Sequence, residues 1–189
     1  MGLLLLSGLL LAVVVALGYF VFASFVYGAG YQPTPRRSVE EMLRLAELGP
    51  QDRIYDLGAG TGAIVFRAAR IYRAHVVGVE VEPIRVAILR LRRAMGPFPD
   101  LITISWGNLF HLDFRGATVV SAFLWPGAMA RLRPKLESEL PSGARVVSHC
   151  HPIVGWEAEV YDPKTDVYLY RVPGAWTQET ASAPVTGGS

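Results

Sequence analysis

Residues Tyr55–Ala63 read YDLGAGTGA, an apolar run and an acid followed by glycines at alternate positions 58, 60 and 62. Glycine adopts φ > 0 without steric cost, so this spacing marks a tight turn whose backbone must stay bare. Arg53 to Leu57 before the turn reads as a strand, and Gly62 to Tyr72 after it reads as a helix. A strand that passes through a glycine turn into a helix opens a parallel βαβ unit. In such sheets ligands gather at the carboxyl ends of the strands, where strand order reverses.

The alternation continues along the chain. His75–Glu80 reads as a strand, and Pro83 opens a helix that runs to about Met95, where Gly96-Pro97 stops it. Leu101–Trp106 and Ala117–Leu124 read as the third and fourth strands. Ala128–Leu140 reads as a helix broken or kinked at Pro134, and Ala144–Cys150 as a fifth strand. Trp156–Tyr161 and Asp166–Arg171 then flank a Pro163-Lys164 turn. Upstream, Pro33 and Pro35 make YQPTP an extended connector. Ser38 and Glu41 fit an S-x-x-E capping box for a helix with the apolar stripe Val39, Met42, Leu43 and Ala46, ended by Gly49-Pro50. The expected fold is α/β and Rossmann-like: a mostly parallel seven-strand sheet with right-handed crossovers and an antiparallel C-terminal hairpin.

At 189 residues the chain has room for one such domain and none for a separate substrate domain. Met1 to Pro35 contains no Asp, Glu, Lys or Arg, and Leu3 to Val26 is apolar apart from Ser7, Ser24 and some glycines. A bilayer needs ~20 apolar residues. A secretory signal has a positive start and a shorter apolar region of about 7–15 residues, and its small-x-small site has only the weak Gly28-Ala29-Gly30 as a match. The sequence therefore predicts an uncleaved single transmembrane helix over residues 1–30, a folded domain over 31–173 and a disordered tail over 174–189. Arg36, Arg37 and Arg44 follow the apolar stretch, which puts the folded domain on the cytoplasmic side of a single-pass membrane protein. The single cysteine, Cys150, agrees with a reducing compartment.

The net charge of +2 conceals a basic stretch in which Arg67, Arg70, Arg73, Arg85, Arg90, Arg92 and Arg93 face only Glu80 and Glu82. A solvated helix face, anionic lipid headgroups and nucleic acid are the competing readings. No aromatic-interleaved motif supports nucleic acid, and none is expected as a partner.

Gly58-x-Gly60-x-x-Ala63 satisfies the loose dinucleotide pattern, with Glu80 at the distance of a ribose-binding acid. Three features turn the reading toward S-adenosylmethionine. Asp56 at the strand end suits a ligand that carries an ammonium and a sulfonium, whereas it would repel a pyrophosphate. A capped helix precedes the first strand, and no further domain is available to hold a hydride-transfer substrate. On this reading the glycines let the backbone pass close to the methionine part, Glu80 accepts from the ribose hydroxyls, and Asn108 in WGNLF meets the adenine edge.

YQPTP followed by VEEMLRLAELGP, then DLGAGTG, Glu80, GNLF, PKLESELPSGARVVSH and YLYR form an ordered set from Tyr31 to Arg171. The set resembles the small seven-strand (class I) S-adenosylmethionine-dependent protein lysine methyltransferases of archaea and their membrane-anchored mitochondrial relatives. The resemblance implies that Tyr31 and Thr34 help close the cofactor pocket. It implies that Asp56, Gly58, Gly60 and Gly62 hold the methionine end, Glu80 the ribose and Asn108 the adenine. The chain departs from the family where Thr61-Gly62-Ala63 stands in place of a frequent Asp-Gly-Arg, and where Asn108 replaces a frequent acid.

An acceptor should approach at the end of the fourth strand, which reads Leu124-Trp125-Pro126. Enzymes that methylate amino groups of nucleic-acid bases carry an Asn- or Asp-Pro-Pro-aromatic motif there, and this chain does not. Trp125 is the first candidate for the acceptor slot and Tyr31 the second. Within SHCHP only His149 and His151 share a strand face, and no second cluster completes a metal site, so no metal is expected. His149 is a candidate to accept a proton from the acceptor amine. The combined expectation is a membrane-anchored methyltransferase acting on lysine side chains of membrane or membrane-proximal proteins. The alternatives are a small-molecule or lipid methyltransferase and a non-catalytic cofactor-binding membrane adaptor.

Overall fold

Strand β1 (Arg53–Leu57) sends Ile54 into one apolar layer and Tyr55 and Leu57 into another, and all three side chains are buried. Burial on both faces is what a central strand of a parallel sheet requires. The structure, a computed structural model, describes Gly2, residues 6–11, 13–15 and 18–19, and residues 32–174. Around β1 stand β2 (His75–Glu80), β3 (Ile102–Trp106), β4 (Val119–Ala122), β5 (Arg145–His149), β6 (Val160–Asp162) and β7 (Val167–Arg171). They form one sheet in the order β3-β2-β1-β4-β5-β7-β6. The first five strands are parallel, and β7 is antiparallel to both β5 and β6. The expected seven-strand sheet and its antiparallel C-terminal hairpin are thus present.

One face of the sheet is covered by α1 (Arg36–Leu45), by α2 (Ala63–Arg67) with its π-helical continuation Ala68–Tyr72, and by α3 (Pro83–Met95), through Val39, Met42, Leu43, Val65, Ala68 and Leu89. The other is covered by α4 (Pro126–Glu139) through Met129, Leu132 and Leu136, together with Phe114. Strand order reverses between β1 and β4, where Asp56 lies opposite Ser121 and Leu57 opposite Ala122.

Several local expectations are corrected. The capping box does not form: α1 begins after Pro35 with no side-chain cap. Ser38 instead faces the interior, and its hydroxyl donates to the Thr165 carbonyl oxygen (3.1 Å) beside the β6–β7 turn, while Glu41 binds Arg44. A buried hydroxyl needs an acceptor, and the turn supplies the nearest one. Helix α4 runs through Pro134 as one α-helix, and Ala130, whose carbonyl loses its intrahelical donor, is exposed to solvent. The hairpin's first strand starts at Val160 because Trp156 turns inward, donating from Nε1 to Glu137 (2.8 Å) and meeting Tyr170 edge-on.

Residues 1–32 and 33–189 form separate units. Within the first, residues 6–11, 13–15 and 18–19 are helical, and no helix among the described residues is long and apolar enough to cross a membrane. Most of the expected span over Leu3–Val26, the site residue Tyr31, and the expected tail beyond Gly174 lie outside the described residues.

At the amino-terminal edge of the sheet, buried Asp52 gathers the surrounding elements. It accepts from the Thr118 hydroxyl (2.7 Å) and the Gly49 amide (2.8 Å), and it pairs with Arg145, which also donates to the Ala46 carbonyl. Removing the cation leaves a buried carboxylate uncompensated, which costs about 3–5 kcal/mol. Arg145→Ala should therefore lower the urea midpoint markedly. Asp52→Asn combined with Arg145→Ala should lower it less than Arg145→Ala alone, and equal losses would show that the pairing is not the cause.

Candidate functional site

The site is built from the bottom of the crevice upward. Asp56 is 5% exposed, and its Oδ1 accepts from the hydroxyl of Ser121 (2.9 Å), the residue opposite it on β4. Burial, only partly offset by the Ser121 bond and reinforced by the negative charge of Glu80, pushes the Asp56 carboxyl up to about 7. No ion pair joins Asp56 to a cation among the described residues. A buried carboxylate of this kind gains most from a cationic group brought in by a ligand.

Above Asp56 the chain turns. Gly58, Gly60 and Gly62 have φ of +78°, +57° and +90°, a backbone that side-chain-bearing residues adopt at a cost. At Gly62 a Cβ would meet the Phe66 ring at 2.4 Å and Leu89 at 2.7 Å. The turn therefore packs tightly underneath, while Gly58 remains exposed above.

Glu80 closes the next side of the crevice. It is 4% exposed. Its Oε2 accepts from the Gly60 amide (2.8 Å), and its Oε1 accepts from the amides of Val81 and Glu82 (3.0 Å each). The carboxylate thus pins the glycine turn to the end of β2. Glu82 caps α3, accepting from Ile84 and Arg85 amides at 2.8 Å, and Arg85 lies 3.7 Å from both carboxylates.

Asn108 is exposed after β3, and its Oδ1 accepts from the Phe110 amide (3.0 Å), capping a short 3-10 turn. Its carbonyl oxygen keeps a second lone pair for a ligand. Trp106, which sequence reasoning did not single out, stands beside this position. It is 61% exposed, and its Nε1 donates to the Val81 carbonyl oxygen (3.1 Å), leaving a bare indole at the carboxyl ends of β2 and β3. Thr34 is partly buried in the extended stretch before α1.

The end of β4 carries an aromatic run. Trp125 is 52% exposed and stacks on His151 (ring centroids 6.0 Å apart), which in turn stacks on Phe123 (6.2 Å). Phe123 also packs against His149 at 4.7 Å. His151 entered the sequence reading only as a possible metal ligand; here it backs the exposed indole. Among the described residues no group of three or more His, Cys, Asp and Glu is placed to hold a metal ion.

His149 is held by its own chain. Its Nδ1 meets the Asp166 carbonyl oxygen at 3.1 Å, which requires an N–H there, and so Nε2 is left to accept from the Cys150 thiol at 3.4 Å. These two contacts tie the end of β5 to the β6–β7 turn.

The arrangement offers a deep carboxylate, a bare turn, a second carboxylate against that turn and an exposed aromatic surface along one crevice. The ANTKMT methyltransferase domain family matches residues 56–160, a segment that begins on Asp56 and ends at the first residue of β6. The family of the histone methylation protein DOT1 matches residues 13–93. A protein-lysine N-methyltransferase of Saccharolobus islandicus (strain REY15A) is 38% identical over 156 residues, 78% of this chain and 96% of that protein. An adenine nucleotide translocase lysine N-methyltransferase of Mus musculus is 33% identical over 77% of this chain, which spans only 64% of that relative's length. Among solved structures, an RNA methyltransferase from Salinibacter ruber in complex with S-adenosyl-L-homocysteine is 38% identical with a TM-score of 0.75, covering 78% of this chain and 97% of that one. The chain belongs to the ANTKMT methyltransferase domain family.

Proposed function

We propose that this chain is an S-adenosylmethionine-dependent protein-lysine methyltransferase, held at a membrane by its apolar N-terminal residues. The observation that carries the cofactor reading is Asp56, a buried carboxyl with no cation of its own beneath a turn of bare backbone. A pyrophosphate would be repelled there, whereas the ammonium of the methionine moiety restores the carboxylate's charge. The residues fit the group: Gly58, Gly60 and Gly62 leave room for it, Glu80 accepts from the ribose hydroxyls, and Asn108 with Trp106 borders the adenine. Tyr31 and Thr34 are the proposed lid.

The cofactor supplies a methyl group already activated by its sulfonium. The chain's part is to orient the acceptor and exclude water. A lysine ammonium with a reference pKa of about 10.4 must lose its proton at a cost of roughly 4–5 kcal/mol at pH 7, and a partly apolar slot lowers that cost. Trp125, backed by His151 and Phe123, is the proposed wall of that slot. Lysine as acceptor is supported by the identity to the Saccharolobus enzyme along almost its whole length. The printed function of the Salinibacter protein, RNA methylation, favours a second reading; Leu124-Trp125-Pro126 in place of the amino-base motif argues against base amino groups as the target. The apolar run Leu3–Val26 supports the membrane address, with the catalytic domain on the cytoplasmic side and membrane-protein lysines as substrates.

Incubation of the full chain with radiolabelled cofactor and membrane extract should put label into protein, and base hydrolysis should leave it on lysine. Label in RNA with none in protein would overturn the acceptor assignment. Trp125→Ala should cut transfer at least ~10-fold while leaving cofactor affinity unchanged, since the indole touches only the acceptor.

Glu80→Ala should weaken the cofactor and its demethylated product alike by roughly 1–3 kcal/mol in calorimetry. Unchanged affinity removes Glu80 from the site.

Asp56 gives a pH signature of defined sign. Its folded value, about 7, lies above the unfolded value of about 3.9. The free protein therefore has the Asp56 contribution in full below about pH 4 and loses it progressively as pH rises through about 7. Asp56→Asn should match the wild type at pH 4 and exceed its stability at pH 8. Cofactor affinity should move the other way in the wild type, rising about tenfold per unit up to pH 7, and should lose that slope in the variant.

A further inference from the structure

Helix α4 starts on Trp125, whose carbonyl accepts from the Ala128 and Met129 amides, and buries Met129, Leu132 and Leu136 against the sheet. At about 100° per residue, Arg131, Lys135 and Glu139 fall on one flank of that buried stripe and Arg133 and Glu137 on the other. Each flank holds a different loop, and the two loops lead to opposite ends of the crevice.

The first flank holds the loop after β3. The Arg131 guanidinium carbon lies 4.1 Å over the centre of the Phe110 ring, and the Phe110 amide is the group that donates to Asn108 Oδ1. Further along, Glu139 accepts from the Phe114 amide (2.9 Å) and pairs with Lys135, which lies over the Phe114 ring. The second flank holds the loop between β5 and β6. Arg133 donates from Nε to Glu137 (2.7 Å) and from Nη1 to the Val154 carbonyl oxygen (2.8 Å), while the same Glu137 oxygen takes the Trp156 indole N–H. The guanidinium sits so close to Gly155, at φ +84°, that a Cβ there would meet Nη1 at 2.0 Å. His151, the ring stacked behind Trp125, belongs to this same loop, three residues before Val154.

We propose that Arg131 and Arg133 are positioning residues with separate duties. Arg133 fixes the β5–β6 loop and, through His151, the Trp125 indole at the acceptor end; Arg131 fixes Phe110 and, through its amide, the Asn108 side chain at the cofactor end. These duties rest on the methyltransferase reading of the crevice. A half-exposed indole has no cover to hold it, so its orientation comes from the ring behind it, and a misplacement of about 1 Å in such a group costs on the order of 100-fold in rate. The guanidinium fork suits the second clamp because it bonds a carboxylate and a carbonyl at once, which an ammonium on a flexible stem does less well. The two arginines stand two residues apart on one helix, so a merely structural role would make their loss damage both ends of the crevice alike. Positioning through separate loops makes the losses differ.

The test uses the full chain carrying 5-fluorotryptophan, with Trp125→Phe identifying the Trp125 fluorine resonance. Arg133→Gln should shift that resonance and cut label transfer to membrane extract about tenfold at saturating cofactor, while S-adenosylhomocysteine affinity in calorimetry stays within about twofold. Arg131→Gln should leave the resonance in place and weaken S-adenosylhomocysteine about two- to fivefold. Arg133→Lys, which keeps a charge opposite Glu137 without the fork, should show the Arg133→Gln pattern more weakly. An unmoved Trp125 resonance in Arg133→Gln, undiminished S-adenosylhomocysteine affinity in Arg131→Gln, or one common profile for both variants would each overturn the proposal. If the unsubstituted chain puts no label into protein lysine, the acceptor reading fails, and the fluorine resonance and calorimetry still decide the two clamps.

Discussion

Everything at the crevice depends on β1 and β4 lying side by side although more than sixty residues separate them in sequence. Asp56 and Ser121 meet across that pair. The helix after β1 leaves toward one face of the sheet and the helix after β4 toward the other, so a cleft opens between them. At the bottom of the cleft is a carboxyl stripped of water, held by one hydroxyl. A packed apolar pair would be a better core at that position. An Asp at that position makes sense as a group ready for a cationic ligand, and the methyltransferase family membership supplies a cationic cofactor as that ligand.

Glu80 extends the same logic from the floor to the wall. Three backbone amides hold its carboxylate, one of them from the glycine turn itself, so the turn cannot drift from β2. Substitution at Glu80 therefore acts on two levels, the shape of the turn and the acceptors it presents. Gly62 fixes the turn from beneath, where Phe66 and Leu89 occupy the space of a side chain. Leu89 belongs to α3, so that helix also buttresses the glycine turn.

The fold was legible because its signals are local. Apolar runs, most of them bounded by Gly or Pro, located six of the strands closely and the seventh in part, Pro83 and Gly96-Pro97 delimited α3, and the glycine spacing marked the switch point. The misreadings share one cause, which is that a neighbour distant in sequence claimed the side chain. Ser38 looked like a cap until the carbonyl of Thr165, far along the chain, claimed its hydroxyl. At His149, likewise, nothing in SHCHP shows that the ring meets the Asp166 carbonyl and the Cys150 thiol. Trp106 and the Trp125–His151–Phe123 stack were partly or wholly missed, since exposure of an aromatic side chain is decided by which loops cover it. Asp56, Gly58, Gly60, Gly62 and Glu80 were legible as candidates because turn chemistry and strand-end acids are local, and the structure brings them to the same end of the sheet.

The central claim, that Asp56 is an uncompensated buried carboxyl awaiting a cation, is tested most directly by carbon-13 NMR of the protein labelled at aspartate carboxyls. Subtraction of the Asp56→Asn spectrum isolates the resonance. The account predicts a titration midpoint near 7 in the free protein and a fall of at least about two units when S-adenosylmethionine is bound. A midpoint near 4 without cofactor, or one that cofactor leaves unmoved, would contradict it.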